Sequence, residues 1–370
     1  MTLFLFLIIL AVLVLVHEAG HFIAARACGI RVDEFGLGFP PRLFSWKRGE
    51  TRYSVNLIPF GGFVKIFGED GEVPNADVAE SAEPFGTRNF ARKPRALQAF
   101  VLVAGIIGNF LLAFVLLSLG FMSGMPAPVD GEWGLPVTNA ALTIVEVLPD
   151  SPADRAGLRA GDKIVSLAYG GHLLTAPSPD AASAFIADTQ NETIALSVER
   201  REEPLIFSIT PMREVVEGRQ AIGVAMDMLG IVQLPLHRAV LEGAKATVFL
   251  SAETARALVV FIKDVFTGNA DLQNLAGPVG IAGLVGQARA EGAAHILSLT
   301  ALISINLALI NLIPFPALDG GRLLFVAIEA VRRKPIPARF AQTANAAGFI
   351  LLLLFIVFVT YHDISRLFSS

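Results

Sequence analysis

Four long apolar runs dominate the pattern of hydrophobic and polar positions along this chain. They cover 1–16, continuing through the letters HEAGH to residue 25, and then 97–122, 295–318 and 343–361. A helix rises about 1.5 Å per residue, so each run can cross a hydrocarbon layer of about 30 Å. The first run could instead be a signal peptide, but it lacks a positive amino-terminal region, and cleavage would discard HEAGH. The pattern predicts a polytopic α-helical membrane protein with about four transmembrane helices.

The segment 51–67, TRYSVNLIPFGGFVKIF, alternates loosely between apolar and polar residues and is interrupted at Gly61 and Gly62. Loose alternation broken by glycine is typical of a β-hairpin. Because this segment is unusually apolar for a loop, we expect the hairpin to be associated with the membrane beside the helices. An ordinary surface hairpin is the alternative.

Residues 127–215 have the shorter pattern of a small inserted α/β domain. Its strand candidates are 142–148, 163–168, 193–199 and 204–210. The stretch SPADRAGLRAGDKIVSL, beginning at Ser151, combines a turn, a short helix and a strand in a way that resembles a PDZ domain. PDZ domains bind an extended peptide by adding it to the edge of a sheet.

These patterns divide the chain into four parts. Residues 1–126 and 295–370 are predicted to form the two halves of a membrane domain, and 127–215 is the PDZ-like insert. The remaining part, 216–294, is predicted to be a linker. Within it, 237–266 has helical periodicity with interspersed charges, which favours a helix lying on the membrane surface.

Composition agrees with a membrane protein that carries a soluble insert. Of the 370 residues, 54% are hydrophobic and only 17% are charged, which is too apolar for an ordinary soluble protein. The net charge of −4 and the lack of a long basic run give no reason to expect nucleic-acid binding. Cys28 is the only cysteine, so the chain has neither an intrachain disulfide nor a cysteine-based zinc site. The lipid bilayer is the first expected partner.

Lysine and arginine are concentrated in two of the connecting segments. Eleven lie within 26–96 and five within 319–342. The positive-inside rule places both segments on the cytoplasmic side of the membrane, so the PDZ-like insert is external. The first and third helices then both run inward, and their carboxyl-terminal ends meet at one depth, toward the cytoplasm.

The letters HEAGH place two histidines on one face of the first helix. His17 and His21 are four residues apart, so their side chains can share a metal ion, and imidazole nitrogen is a good zinc ligand. Glu18 can stand beside the metal without binding it and take a proton from the attacking water. The alternative is that the histidines only form hydrogen bonds with neighbouring helices, but polar groups at that depth are costly without a function.

A catalytic zinc ion usually has three protein ligands. Asp319, in NLIPFPALDGGR, is a carboxylate at the inner end of the third run. Pro314 and Pro316 break the helix there, and Gly320 and Gly321 allow a tight turn. Asp319 is therefore the candidate third ligand, and an aspartate that merely begins a helix is the alternative.

Amide side chains also occur inside the apolar runs. Asn109 ends the small-residue motif GIIGN, and we expect it to serve helix packing. Asn311 precedes the proline-broken segment, and we expect it to contact substrate.

Together these residues resemble the site-2 protease family, in its bacterial regulator-of-sigma-E protease branch. HEAGH, GIIGN, NLIPFPALDGG and a PDZ-like insert occur in the family's order, over nearly the whole chain. The resemblance implies a zinc metalloendopeptidase in which His17, His21 and Asp319 bind Zn²⁺ and Glu18 is the catalytic acid and base. It also implies that the hairpin, with Gly61, Gly62 and Phe63, and Asn311 bind an extended substrate.

The resemblance further implies regulated intramembrane proteolysis. The substrates would be transmembrane proteins such as anti-sigma factors, cut first by another protease. The sequence departs from some relatives, which have two PDZ domains or a histidine where this chain has Arg322. The main alternative is a non-catalytic membrane adaptor whose PDZ-like domain binds envelope peptides. A metal transporter is less well supported because the fourth run has almost no polar residues.

Overall fold

The computed structural model describes residues 1–69, 88–129, 135–189, 192–216, 219–269 and 277–369. The chain divides into two compact units. The first, here called the helical unit, comprises Met1–Leu119, Val240–Ala290 and Ile296–Ser370. The second, the sheet unit, comprises Gly120–Ala239 and Glu291–His295.

The secondary-structure elements follow in chain order. The helices are α1 (Thr2–Ala27), α2 (Arg95–Ser123), α3 (Pro152–Ala156), α4 (Pro179–Ala187), α5 (Leu236–Thr267), α6 (Pro278–Glu291), α7 (Ala293–Leu312), α8 (Asp319–Arg332) and α9 (Ala338–Ser369). The strands are β1 (Val32–Arg48), β2 (Thr51–Ile66), β3 (Met125–Pro128), β4 (Thr138–Val147), β5 (Lys163–Tyr169), β6 (His172–Thr175), β7 (Ile194–Arg200), β8 (Glu203–Ile209), β9 (Met212–Val216), β10 (Arg219–Ala221) and β11 (Val224–Val232).

Four helices, α1, α2, α7 and α9, are long and apolar enough to cross a membrane. They correspond to the four apolar runs, so the four predicted candidate spans are all found among the described residues. The third run is shorter than predicted, since α7 ends at Leu312. Pro314 and Pro316 follow it, and proline lacks the amide hydrogen that a continuing helix needs. Asp319 therefore begins α8 rather than ending the third run.

Glycines bring α1 and α2 into close contact. A Cβ atom on Gly20 of α1 would lie 2.3 Å from the Ala104 carbonyl oxygen of α2. A Cβ atom on Gly108 of α2 would lie 2.9 Å from the Val16 carbonyl oxygen of α1. Both distances are too short for any larger residue, so the GIIGN segment allows the two helix backbones to approach directly.

The hairpin predicted for 51–67 is wrong in its pairing. Residues 34–37 of β1 pair with 52–55 on one side and with 62–65 on the other, and residues 42–48 pair with 51–56. The two halves of 51–67 therefore do not pair with each other, because the first half of β1 lies between them. Alternation along a segment indicates which side chains share a face of the sheet, but it does not indicate which strand is the hydrogen-bonded neighbour. Residues 62–66 form an edge of this arrangement.

The sheet unit contains a seven-stranded sheet in the order β3-β11-β4-β5-β7-β8, with β6 paired to β5. Its core packs strand residues against α4, through Leu142, Ile144, Ile164, Leu167, Ile186, Ile194, Leu196 and Val198. The predicted strands at 142–148, 163–168, 193–199 and 204–210 correspond to β4, β5, β7 and β8 within a few residues.

The predicted boundary at residue 215 is too early. Strand β11 pairs with both β3 and β4, so it is an interior strand of the same sheet. A domain that stopped at 215 would lack this strand. The compact unit instead extends from Gly120 to Ala239, and the predicted linker 216–294 retains α5, α6 and the start of α7.

Candidate metal centre

His17 and His21 lie one turn apart on α1 and present ring nitrogens to the same point. Their Nε2 atoms are 3.2 Å apart, and the two rings are nearly perpendicular at 84°. Only 8% of His17 and 7% of His21 is exposed. Two buried imidazoles with their nitrogens in contact require a shared partner, since each removes the other from water.

Asp319 supplies that partner from the first residue of α8. Its Oδ2 atom lies 2.9 Å from His17 Nε2 and 3.1 Å from His21 Nε2. The three atoms form a triangle, and ligand atoms around a tetrahedral zinc ion at about 2.0–2.1 Å are separated by similar distances of roughly 3.3 Å. The residues present therefore fit a zinc ion, and among the described residues they form a group able to hold one.

The charge of Asp319 also suits a cation. Its carboxylate lies beside the two buried imidazoles and gives the site a negative charge that a zinc ion would balance. Its place in the first turn of α8 adds the partial positive charge of a helix amino terminus. The carboxylate is thus held in the form that ligates metal.

A backbone carbonyl fixes the ring of His21. Its Nδ1 atom lies 2.8 Å from the Val101 oxygen of α2. A carbonyl can only accept, so Nδ1 carries the proton and Nε2 keeps a free lone pair. This arrangement is the one that orients metal-binding histidines in proteins generally.

The side chain of Asn109 has the corresponding position beside His17. Its Nδ2 atom lies 3.3 Å from His17 Nδ1, and its Oδ1 atom is buried without a hydrogen-bond partner among the described residues. Amide nitrogen and oxygen exchange places when the group is rotated by 180°. Rotation brings the unpaired Oδ1 to His17 Nδ1, where it accepts that proton and leaves Nε2 free for metal.

From its sequence context, Asn109 is predicted to serve only helix packing. Packing is also present, since the Ser304 hydroxyl of α7 donates to the Asn109 carbonyl at 2.8 Å. The signal for a second role was the depth of an amide in an apolar helix, where polar groups need a partner. Sequence spacing alone could not name His17 as that partner.

The bend before Asp319 is held tightly against the start of α8. A Cβ atom on Gly320 would lie 2.2 Å from the Ile313 carbonyl oxygen, and one on Gly321 would lie 2.2 Å from that of Phe315. No side chain fits at either position, which explains the two glycines after Asp319. The bend is therefore compact, and Asp319 lies at its end, as the first residue of α8.

A cavity of about 170 Å³ opens beside the three candidate ligands. It is lined by His17, Glu18, His21, Gly62, Phe63, Val64, Ile66, Glu69, Asp319 and Arg322. Glu18 is thus next to the ligand triangle, as expected, without being part of it. A Cβ atom on Gly62 would lie 3.2 Å from Glu18 Cγ and 2.9 Å from Val14 Cγ1, so glycine lets β2 approach α1 at this point.

The residues predicted to bind substrate divide into two groups. Gly62 and Phe63 line the cavity, and Gly61 is their neighbour with a φ of 102°. Asn311 is half buried near the end of α7 and is not among the described residues that line the cavity. The structure thus brings the β2 residues to the ligands, whereas Asn311 stays a prediction.

Arg322 and Glu69 were not foreseen as residues of this site. They form an ion pair in the cavity wall, joining α8 to the end of β2. The signal for Arg322 was its position three residues after Asp319, which puts the two side chains on one face of a helix. Glu69 follows the predicted hairpin, and nothing in its local sequence indicates its partner.

Comparison with known proteins agrees with this geometry. A family profile described as "Peptidase family M50" matches residues 5–355. The chain is 30% identical to the zinc metalloprotease RasP of Geobacillus kaustophilus, over 98% of this chain and 97% of that protein. It is 33% identical to a putative zinc metalloprotease of Clostridium perfringens, over 97% of both chains. It is also 30% identical to the regulator of sigma-W protease RasP of Bacillus subtilis, over 98% of both.

The matches and the ligand triangle define a zinc-dependent metalloprotease. The chain belongs to peptidase family M50, because the family profile and its relatives extend over nearly all of its length. The resemblance to site-2 proteases stated from the motifs is confirmed, and so is zinc as the cofactor. Its four apolar helices agree with a multi-pass membrane protein.

A single methyl group at Gly105 should damage the zinc site. Its Cβ atom would lie 2.3 Å from His21 Nε2, so Gly105→Ala must displace the ring or the helix. We expect zinc affinity to fall about 10- to 100-fold, as for other losses of ligand support. Gly283→Ala in α6 is the matched control, because a Cβ atom there meets nothing within 4 Å. Equal zinc affinity in the two purified variants would contradict the close packing of α2 on His21.

Proposed function

We propose that this protein hydrolyses peptide bonds in the transmembrane segments of other membrane proteins. The observation that carries the proposal is the ligand triangle of His17, His21 and Asp319, with Glu18 in the same cavity as an edge strand. A zinc site in an apolar helical unit suits a substrate that is itself apolar. The edge strand suits a substrate held in extended form.

The chemistry divides between the metal and Glu18. When bound, zinc polarises the scissile carbonyl and makes water a better nucleophile at neutral pH. Glu18 accepts the proton of the attacking water and passes it to the leaving amide nitrogen. His17, His21 and Asp319 hold the metal, while Val101 and Asn109 hold the two imidazoles in the required tautomer.

A transmembrane helix must unwind before its backbone can be cut, because its carbonyl groups are engaged in helical hydrogen bonds. Residues 62–66 of β2 pair only with β1 among the described strands, so their other edge can pair with an unwound segment. Gly62 and Phe63 lie in the cavity wall at this edge. We assign substrate binding to Gly61, Gly62 and Phe63, with Asn311 as a further candidate.

The substrates are proposed to be membrane proteins cut first by another protease. The Bacillus subtilis relative is named as a regulator of sigma-W protease, which supports an anti-sigma factor or a similar regulator as the substrate class. The second cut would then release a cytoplasmic fragment.

The sidedness of the protein is proposed from its charges. The segments 26–96 and 319–342 are rich in lysine and arginine, which favours the cytoplasmic side of the bacterial inner membrane for both. The sheet unit would then be external. Helix α5 carries interspersed charges and is proposed to lie on the membrane surface, as the sequence predicts.

The PDZ-like sheet unit is proposed to act as a size filter. It supplies none of the described residues of the metal centre, so its role must concern access. A substrate helix in the same membrane is already concentrated and needs little capture energy. We therefore favour a role in excluding substrates that still carry a large external domain over a role in capturing substrates.

Recruitment is the second candidate role, and a groove in the sheet unit favours it. The groove has a volume of about 160 Å³ and lies between α4 and the start of β11. Strand β3 pairs with β11 only from Leu229 onward, so residues 224–227 have a free edge among the described strands. PDZ domains add a peptide at such an edge.

Removing the base should separate zinc binding from hydrolysis. Glu18→Gln keeps the shape of the side chain but cannot accept a proton, so we expect normal zinc content and a cleavage rate lower by about 10²–10⁴-fold. Asp319→Ala should lose both zinc and cleavage. The measurements are metal analysis of the purified proteins and cleavage of a transmembrane model substrate. Near-normal turnover by Glu18→Gln would refute Glu18 as the base. If neither the wild type nor Glu18→Gln cleaves the substrate, the alternative of a non-catalytic membrane adaptor would be favoured.

Reporter fusions should test the proposed sidedness. A reporter inserted within 135–189 should be external, and one inserted within 70–85, outside the described residues, should be cytoplasmic. The two insertion sites serve as controls for each other, because a reporter that is active on only one side of the membrane should be active at one site and inactive at the other. Reversed activities would invert the orientation and place the sheet unit inside.

Deleting Met125–Val232, which contains strands β3 to β11, should abolish size selection while leaving zinc bound. We expect substrates with an intact external domain to be cleaved at a rate approaching that of pre-trimmed substrate. Ser183→Trp, which fills the groove of the intact unit, is the companion variant. If the preference for trimmed substrate survives the deletion, the filter is refuted. Slower cleavage of trimmed substrate by both variants would support recruitment.

A further inference from the structure

The bend that delivers Asp319 contains a residue in an unfavourable backbone conformation. Ala317, two positions before Asp319, has a φ of 77°. In this left-handed region the Cβ atom of an L-residue crowds the following carbonyl oxygen, and glycine is the residue that usually occurs there. An alanine holds this conformation only where its surroundings enforce it.

The enforcing contact comes from α9, the last apolar helix. The backbone N–H of Ala317 donates to Asn345 Oδ1 at 3.2 Å. One turn further along α9, Gly348 is buried, and a Cβ atom there would lie 2.4 Å from the Pro316 carbonyl oxygen. Helix α9 thus touches two adjacent residues of the bend, by close packing at Pro316 and by a hydrogen bond at Ala317.

Asn345 is an amide within a segment that otherwise has the composition of a membrane span. It lies within Ala338–Ser365, a helix long and apolar enough to cross a membrane. A polar side chain there is costly unless it is paired, and amides in such helices commonly bond to a neighbouring backbone. Its partner is the strained residue Ala317, two positions before the candidate ligand Asp319.

The bend is stiff enough to transmit the position of Ala317 to Asp319. The Leu318 N–H donates to the Phe315 carbonyl at 3.1 Å, and the Gly321 N–H donates to the Leu318 carbonyl at 3.1 Å. These bonds leave little freedom between Ala317 and the first turn of α8. If Ala317 relaxed to an ordinary conformation, the chain direction entering α8 would change, and the Asp319 carboxylate would move away from the histidines.

We propose that Asn345 is a positioning residue for the metal centre. It holds Ala317 in the left-handed conformation and thereby keeps the Asp319 carboxylate against His17 and His21. It acts through the backbone, since it is not among the described residues that line the cavity. The inference rests on Asp319 as a zinc ligand, which is part of the proposed function.

The central experiment compares two single variants with their combination. Asn345→Leu keeps the size of the side chain but removes the oxygen acceptor, and it should weaken zinc binding about 10- to 100-fold, the usual effect of losing outer support of a ligand. Ala317→Gly should bind zinc as the wild type does. The double variant should regain most of the lost affinity, because glycine adopts the left-handed conformation without help.

The readouts are the zinc dissociation constant, by competition with a chelator, and amide hydrogen exchange at residue 317 in the metal-free protein. Exchange should be faster in Asn345→Leu. The matched control is Thr343→Val, which removes a hydroxyl from an exposed position of the same helix and should change neither readout. A merely structural role of Asn345 would not be relieved by glycine at position 317.

Two results would overturn the proposal. The first is wild-type zinc affinity in Asn345→Leu, and the second is a loss of affinity that Ala317→Gly does not relieve. If Asn345→Leu fails to fold, Ala317→Val decides, since a β-branched residue resists the left-handed region and should weaken zinc binding, whereas unchanged affinity refutes the role of the bend. Asp319→Ala with full zinc content would instead refute the ligand set itself.

Discussion

The fold of the helical unit depends on bringing three ligand atoms together where water is scarce. The Nε2 atoms of His17 and His21 and the Oδ2 atom of Asp319 lie within 2.9–3.2 Å of one another, although Asp319 is about 300 residues away in sequence. Buried groups of this kind are tolerated only when each has a partner. Much of the surrounding structure serves this need.

Three neighbouring elements meet the requirement in different ways. Helix α2 comes close enough for its backbone to orient His21, and glycines make that approach possible. The bend after α7 is packed so tightly that Gly320 and Gly321 accept no side chain. Helix α9 supports the same bend from outside. The small residues around the site are thus as necessary as the ligands, because they determine distances between backbones.

Features that depend on residues close together in the sequence could be predicted. His17 and His21 share a helix face, and the prolines and glycines around Asp319 indicate a bend, so the candidate ligand set that the structure brings together could be predicted. Contacts that join distant segments could not be predicted. Asn109 beside His17, Asn345 beside Ala317, and the insertion of residues 34–37 between the halves of β2 all depend on three-dimensional neighbours. Strand β11 was missed for the same reason, since its partners precede it by about 80 residues or more.

The insertion of β1 between the two halves of β2 has a consequence for how a substrate is received. Residues 62–66 are joined along one side to residues 32–37 and cannot shift register without breaking that pairing. A receiving edge that is ordered in advance loses little conformational entropy when a partner docks. The entropic cost of docking therefore falls almost wholly on the incoming chain. Under the proposed function, segments that leave the helical state easily would be favoured over equally apolar segments that do not, so selectivity would arise from the stability of the substrate's own helix.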